Sequence, residues 1–232
     1  MRYAVLGTGI VGRTIAAKLA ALGHEVAIGT RDPEATLART GRDAMGNPPF
    51  AQWQAEHPQV RLATFADAVS SSDAVVNATS GAAALDALGL AGADNLDGKV
   101  VLDIANPLDF SGEGLPVLDP VNTDSLGERI QAAFPGARVV KTLNTMNSAV
   151  MVDPARVAGE HDVFVSGNDA DAKKAVTELL VSIGWPERNI IDLGDITTAR
   201  GTEMLLPIWL RLMNAVGHTD FNFHIQGARP TA

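Results

Sequence analysis

The chain has 232 residues, 46% apolar and 19% charged, with a mean hydropathy of +0.10, which excludes intrinsic disorder. That length fits one large domain, or one of about 150 residues with a small companion. Eighteen basic residues against twenty-seven acidic ones leave a formal charge of −9, so nucleic acid is not an expected partner and any anion must be gripped locally. The lack of cysteine removes disulfides, thiolate metal sites and a cysteine nucleophile.

Tyr3-Ala4-Val5-Leu6 is a short apolar run ending at glycine, and Ile15, Leu19 and Leu22 then recur at helical spacing within Thr14 to Leu22. Gly23 closes that helix, and Glu25 to Gly29 carries the second strand of a βαβ unit. Asp32-Pro33-Glu34 has the order of N-cap, first-turn proline and first-turn acid, predicting a second helix that ends near Arg39. From Gly41 to Pro58, Pro48, Pro49, Pro58 and Gly46 accompany Phe50 and Trp53, which predicts a long connection pinned by aromatic rings, serving either as a lid or as an anchor for its own path. Val60 to Phe65 is the third strand, Ala66 to Ser70 a short helix, Ala74 to Ala78 a buried fourth strand and Gly81 to Leu90 a helix. Val100 to Ile104 is the fifth strand, Ser125 to Phe134 a helix and Val139 to Leu143 the sixth strand.

Near-continuous apolar strands alternating with helices predict a doubly wound α/β fold, a parallel sheet covered on both faces by right-handed crossovers. After Asn147 the pattern resumes with Val163 to Val165, a helix over Ala170 to Ile183 and a strand over Ile190 to Leu193, read as a smaller C-terminal α/β domain (151–232) beside the first (1–150). Thr202 to Val216 is expected as one helix with a Leu205, Ile208, Trp209, Leu212, Met213 and Val216 face, followed by a short strand at Phe221 to Phe223. The apolar run from Met204 to Met213 is broken by Pro207 and Arg211, so no membrane span is expected. The N-terminal run gives way to glycines where a secretory core would continue, and a cytoplasmic location is expected.

Gly7-Thr8-Gly9-Ile10-Val11-Gly12 matches G-x-G-x-x-G between the first strand and the first helix. The spacing has a mechanism. Gly7 permits the tight turn, Gly9 lets backbone approach a pyrophosphate, Gly12 lets helix pack on strand, and the helix mouth supplies free N–H groups. The second strand ends Gly29-Thr30-Arg31, where an NAD-specific protein would carry an acid for the ribose hydroxyls. Thr30 and Arg31 instead suit a 2′-phosphate, so NADP(H) is the expected dinucleotide. The competing reading pairs Arg31 with Asp32 or Glu34 on the surface.

Ligands in such sheets lie beyond the carboxyl ends of the strands. Strand four ends Asn77-Ala78-Thr79-Ser80-Gly81, strand five Ile104-Ala105-Asn106-Pro107 and strand six Leu143-Asn144-Thr145-Met146-Asn147, each mixing small residues with amide or hydroxyl groups. Thr79, Ser80, Asn106, Asn144 and Thr145 are therefore cofactor-binding candidates, against the alternatives that Ser80 caps a helix and Asn106-Pro107 is an ordinary turn.

Four runs carry a family likeness: Ala4 to Gly12, Gly29-Thr30-Arg31-Asp32-Pro33, Val140-Lys141-Thr142-Leu143-Asn144-Thr145 and Phe164-Val165-Ser166-Gly167-Asn168-Asp169. They resemble the NADPH-dependent deazaflavin (coenzyme F420) reductase family. Gly46-Asn47-Pro48-Pro49-Phe50 and the run from Asp192 to Glu203 are similar to its actinobacterial branch, so the resemblance covers nearly the whole chain. The cytosolic reductase domain of STEAP metalloreductases is more distantly similar. The resemblance implies a Rossmann domain binding NADP, a small C-terminal domain, and a cleft where a deazaflavin ring stacks on the nicotinamide. It implies contacts from Thr8, Ile10 and Val11 to the pyrophosphate, from Thr30 and Arg31 to the 2′-phosphate, from Thr79 and Ser80 along the nucleotide, and from Asn144 and Thr145 near the nicotinamide.

Hydride transfer between two bound rings needs approach to about 3–3.5 Å and little acid–base machinery, so no catalytic side chain is assigned. His24, His57, His161, His218 and His224 show no metal spacing and are expected on the surface or in loops; no metal is expected. Asp192 and Asp195 are expected to shape a turn, and the Met204, Leu205, Trp209 and Met213 stripe to be core. The expected function is an NADPH-dependent oxidoreductase passing hydride to or from a deazaflavin (coenzyme F420) or a flavin, with a homodimer as a candidate assembly. The rivals are a reductase of small imines or carbonyls, with Lys141 or a strand-end hydroxyl as proton donor, and a non-catalytic NADP sensor.

Overall fold

The computed structural model describes residues 1–43 and 46–227. In chain order its elements are β1 (Arg2–Leu6), α1 (Ile10–Ala21), β2 (Glu25–Thr30), α2 (Pro33–Ala38), α3 (Phe50–Glu56), β3 (Val60–Thr64), α4 (Phe65–Ser70), β4 (Ala74–Asn77), α5 (Gly81–Ala91), α6 (Ala93–Leu96) and β5 (Val100–Asp103). Then follow β6 (Leu108–Asp109), β7 (Val117–Leu118), α7 (Leu126–Ala133), β8 (Arg138–Thr142), α8 (Ser148–Val152), β9 (Val163–Gly167), α9 (Ala170–Ile183), β10 (Ile190–Asp192), α10 (Ala199–Met204) and α11 (Leu206–Val216).

Eight strands form one sheet in the order β10-β9-β8-β5-β4-β1-β2-β3. Both faces are apolar because the side chains alternate: Val5 packs with Ile15, Leu19 and Ile28 on one face, while Ala4 and Leu6 pack with Phe65, Leu88 and Ile130 on the other. Neighbouring strands are parallel from β3 through to β8, as the alternation of strands and helices predicts. β9 then pairs antiparallel with β8, and β10 parallel with β9, so the C-terminal strands extend the same sheet in the reverse direction.

Three local expectations are corrected and one element is added. The 41–58 connection contains the helix α3, whose first residue Phe50 is buried in the core; its residues 44 and 45 lie outside the described residues, as do 228–232. The single helix expected over Thr202 to Val216 is two, because Pro207 has no N–H to give the Glu203 carbonyl and the chain breaks at Leu205. Phe221 to Phe223 forms no strand; it is an extended tail that accepts one bond, from the Asp162 amide to the Phe223 carbonyl (2.8 Å), and stacks Phe221 on Trp209. The β6–β7 ribbon after strand five was not expected at all. Among the described residues no helix is long and apolar enough to cross a membrane.

Candidate active site

Gly7 ends β1 with φ +117°, and a Cβ there would stand 2.6 Å from the Ala78 carbonyl oxygen, so only glycine turns the chain this close to the end of β4. A Cβ on Gly12 would overlap the Gly7 carbonyl, which is why α1 can lie directly against the loop. Gly9 is the opposite case. It is the exposed N-cap of α1, with open space around its missing side chain. No side chain caps α1 and no acid sits in its first turn, so the amides and positive dipole at the mouth are left for a ligand. Thr8, Ile10 and Val11 border that mouth and keep part of their surface exposed.

The loop is held from behind by a residue the sequence reading passed over. Arg13 is buried; its Nε donates to the Thr8 carbonyl (2.7 Å) and its Nη1 to the Pro48 carbonyl (2.6 Å), while its guanidinium lies 5.3 Å from the centre of the Phe50 ring. Burial holds its pKa below the usual arginine value. Phe50 is thus an anchor joining α3 to the glycine loop, and Trp53 stacks on His57 at 4.3 Å.

At the end of β2 the two expected phosphate ligands part company. Arg31 is exposed and makes no ion pair among the described residues. Of the two partners offered by the competing reading, Asp32 is spent as the cap of α2, accepting from the Ala35 amide at 2.9 Å, and Glu34 lies in the first turn of that helix. Thr30 is buried and its hydroxyl lies 2.9 Å from that of Thr36, which donates to the Asp32 carbonyl. Thr36 has one proton, so Thr30 donates to it, and Thr30 fixes the start of α2 instead of reaching outward.

The strand ends converge as expected. The site of a Cβ on Gly7 lies 3.2 Å from the Thr79 amide, a Cβ on Gly81 would strike the Asn106 backbone, and Asn106 and Asn144 exchange bonds (Nδ2 to the Asn144 carbonyl, 2.7 Å; Asn144 Nδ2 to Oδ1, 3.0 Å). Thr79 donates to Asn77 at 2.7 Å. Ser80 is the N-cap of α5 but its exposed side chain makes no capping bond, so the capping alternative does not hold. Asn144 and Thr145 are both 2% exposed, and Leu143 before them takes φ +60°, a strained left-handed turn that carries the chain from β8 toward α8.

Beneath these ends runs a polar row that sequence reading saw only in part. Asn77, Asp103 and Lys141 occupy matching registers on β4, β5 and β8. Lys141 Nζ donates to Asp103 Oδ2 (2.8 Å), to the Ala105 carbonyl (2.6 Å) and to Glu203 Oε1 (2.7 Å), and Asn77 donates to Asp103 Oδ1 (2.8 Å). Glu203 also receives the Leu126 and Gly127 amides at the start of α7. Burial works to strip the Lys141 proton, but Asp103 and Glu203 outweigh it and hold its pKa above the ordinary lysine value. The three protons of this ammonium all point at protein acceptors, which leaves none directed at a substrate. One signal was available in the sequence: a polar residue at the fourth position of each of three strands, Asn77, Asp103 and Lys141.

Elsewhere, His161 is buried in its loop, held by the Pro154 carbonyl and Asn222 against Trp185, and takes no part in the cleft. Asp192 binds Lys173 and Asp195 caps the turn at Thr197, both structural as expected. In the C-terminal stripe Trp209 is buried, but Met204 and Ile208 are exposed.

The sheet, the glycine-built mouth of its first helix and the polar strand ends define the dinucleotide-binding class of oxidoreductases. Residues 2–107 match the family described as NADP oxidoreductase, coenzyme F420-dependent. A crystal structure of a candidate F420-dependent NADP-reductase from Arthrobacter sp. FB24 is 62% identical and superposes with a TM-score of 0.92, covering 97% of this chain and 99% of that one. The F420-dependent NADP reductase of Methanothermobacter marburgensis is 26% identical over 219 residues, 91% of this chain and 92% of that protein. Rat (Rattus norvegicus) metalloreductase STEAP3 is 27% identical over 214 residues; the match takes in 90% of this chain but spans only 38% of that longer protein. The chain belongs to the coenzyme F420-dependent NADP oxidoreductase family.

Proposed function

We propose that this chain transfers hydride between NADP(H) and a deazaflavin ring of the coenzyme F420 type, with Gly7, Thr8, Gly9, Ile10, Val11 and Gly12 holding the pyrophosphate, Arg31 the 2′-phosphate, and Thr79, Ser80, Asn106, Asn144 and Thr145 following the nucleotide to its nicotinamide. The observation that carries this is the pairing of an uncapped, acid-free glycine mouth on α1 with an exposed arginine one strand away that makes no ion pair among the described residues. The first fits a diphosphate and the second a phosphomonoester, and an acidic protein has to supply such attraction locally. Thr30 supports Arg31 by holding α2.

The bound rings supply the chemistry, hydride leaving one carbon and arriving at another. The chain orients: Asn106 and Asn144 lock the ends of β5 and β8 together, and Leu143 sets the turn that presents Thr145. Lys141 is sealed beneath the strand ends, which argues against the imine or carbonyl reading that needed it as proton donor. The segment from 151 onward, through α10 and its Glu203, is assigned as the smaller unit that backs the cleft. A homodimer is the proposed assembly, supported by exposed apolar side chains at Phe110, Val117, Val121 and Ile208, and a cytoplasmic location is proposed with it.

Following NADPH absorbance with a deazaflavin, a flavin and small carbonyls tests the reaction: oxidation by ring acceptors supports it, and oxidation by carbonyls alone overturns it. Arg31→Ala should weaken NADPH binding by about 1.5–3 kcal/mol, the scale of a hydrogen bond to a charged group, and leave NADH nearly unchanged. Equal losses for both would remove the 2′-phosphate role.

A further inference from the structure

The charge row under the strand ends is not consumed by nucleotide binding. Lys141 binds both Asp103 and Glu203, and all three of its ammonium protons go to protein acceptors. We propose that Lys141 is a positioning residue for the hydride step, fixing the wall on which the nicotinamide rests. The inference depends on the reading above that places the nicotinamide against Asn144 and Thr145.

Its three bonds go to two separate stretches of chain: the end of β5, at Asp103 and the Ala105 carbonyl just after it, and Glu203 on α10. Ala105 precedes Asn106, Asn106 exchanges bonds with Asn144, and Asn144 lies three residues beyond Lys141 past the left-handed turn at Leu143. These links close a ring. Lys141 holds one side of the Asn106–Asn144 clasp through space and the other along the backbone. A second arm runs from Asp103 through Asn77 to Thr79, so the same ammonium also sets the end of β4. Glu203 brings in α10 and the first amides of α7.

Stability alone is a poor reason for this arrangement, because an apolar trio of equal volume is often as stable as a buried ion group or more so. What three fixed donor directions add is geometry, and hydride transfer is steeply sensitive to geometry, since a displacement of about 1 Å can cost roughly a hundredfold in rate.

Glu203→Gln keeps the side-chain shape and removes one charge from the group. In this variant, turnover of NADPH with coenzyme F420 should fall about 10- to 100-fold. Binding of 2′,5′-ADP, which probes only the adenosine end, should stay within about twofold of wild type in calorimetry. Asp103→Asn should show the same split, and it carries the test alone if Glu203→Gln does not fold. Turnover near wild type in a folded variant overturns the proposal, and so does loss of 2′,5′-ADP binding in step with turnover, which would mean a general collapse of the site. Wild-type NADPH binding and turnover, measured alongside, test the functional reading separately.

Discussion

At Gly12 the missing side chain is what makes the site. A methyl group there would overlap the Gly7 carbonyl, so Gly12→Ala has to push α1 off the loop. The expected cost is about 1–3 kcal/mol of stability, as for other overpacked positions, together with a clear loss of NADPH affinity, read by melting and calorimetry on the same samples. Unchanged affinity in a well-folded variant would show that loop and helix need not touch. This residue was legible in the sequence because the motif states its own geometry. Arg13 was not, since nothing local says that an arginine in the first turn of a helix reaches a carbonyl thirty-five positions on. The engagement of Thr30 is hidden for a related reason: a hydroxyl at the right strand end looks free until Thr36 is seen across from it.

Caps and breakers decide the elements. Asp32 was read as the cap of α2 and is one, and Asp32→Ala should cost about 1 kcal/mol, checked by urea unfolding. The same change loosens the backbone just after Arg31, so its NADPH affinity should fall with NADH affinity held; a fall for both would implicate the glycine loop instead. The proline break between α10 and α11 was in the sequence too, but the strong apolar face across it read as one helix. The α3 helix was hidden by its prolines, one of which, Pro49, sits at the N-cap where proline does no harm. The β6–β7 ribbon is two residues on each side, too short for any periodicity.

For the whole molecule, the parallel sheet followed from the alternation of apolar strands and helices, whereas the reversal at β9 did not, because a strand sequence carries no mark of its direction. The acidic balance has a consequence for pH. Arg2, through its hydrogen bond to Asp73, pulls that carboxyl from its ordinary value near 3.8 to about 2, and Glu128 and Asp124 are likewise held down by Arg200 and Arg129. Folded-state values below the unfolded ones mean stabilisation that is complete above about pH 5 and is lost as the pH falls toward 2. The melting temperature should drop across that window, and Asp73→Asn should flatten part of the drop; the pair is solvent-exposed, so the share is small. An identical acid profile in the variant would remove Asp73 from the account.

Because β8 is the seam where strand direction flips, both of its flanks are occupied, one by β5 and the other by β9. A gene fragment stopped at residue 150 would bare the second flank as a row of unsatisfied peptide groups ready to recruit another chain. It would also strip Lys141 of one of its two counter-charges. Fusion partners and split reporters built on this scaffold therefore have to keep everything through Glu203 on a single polypeptide.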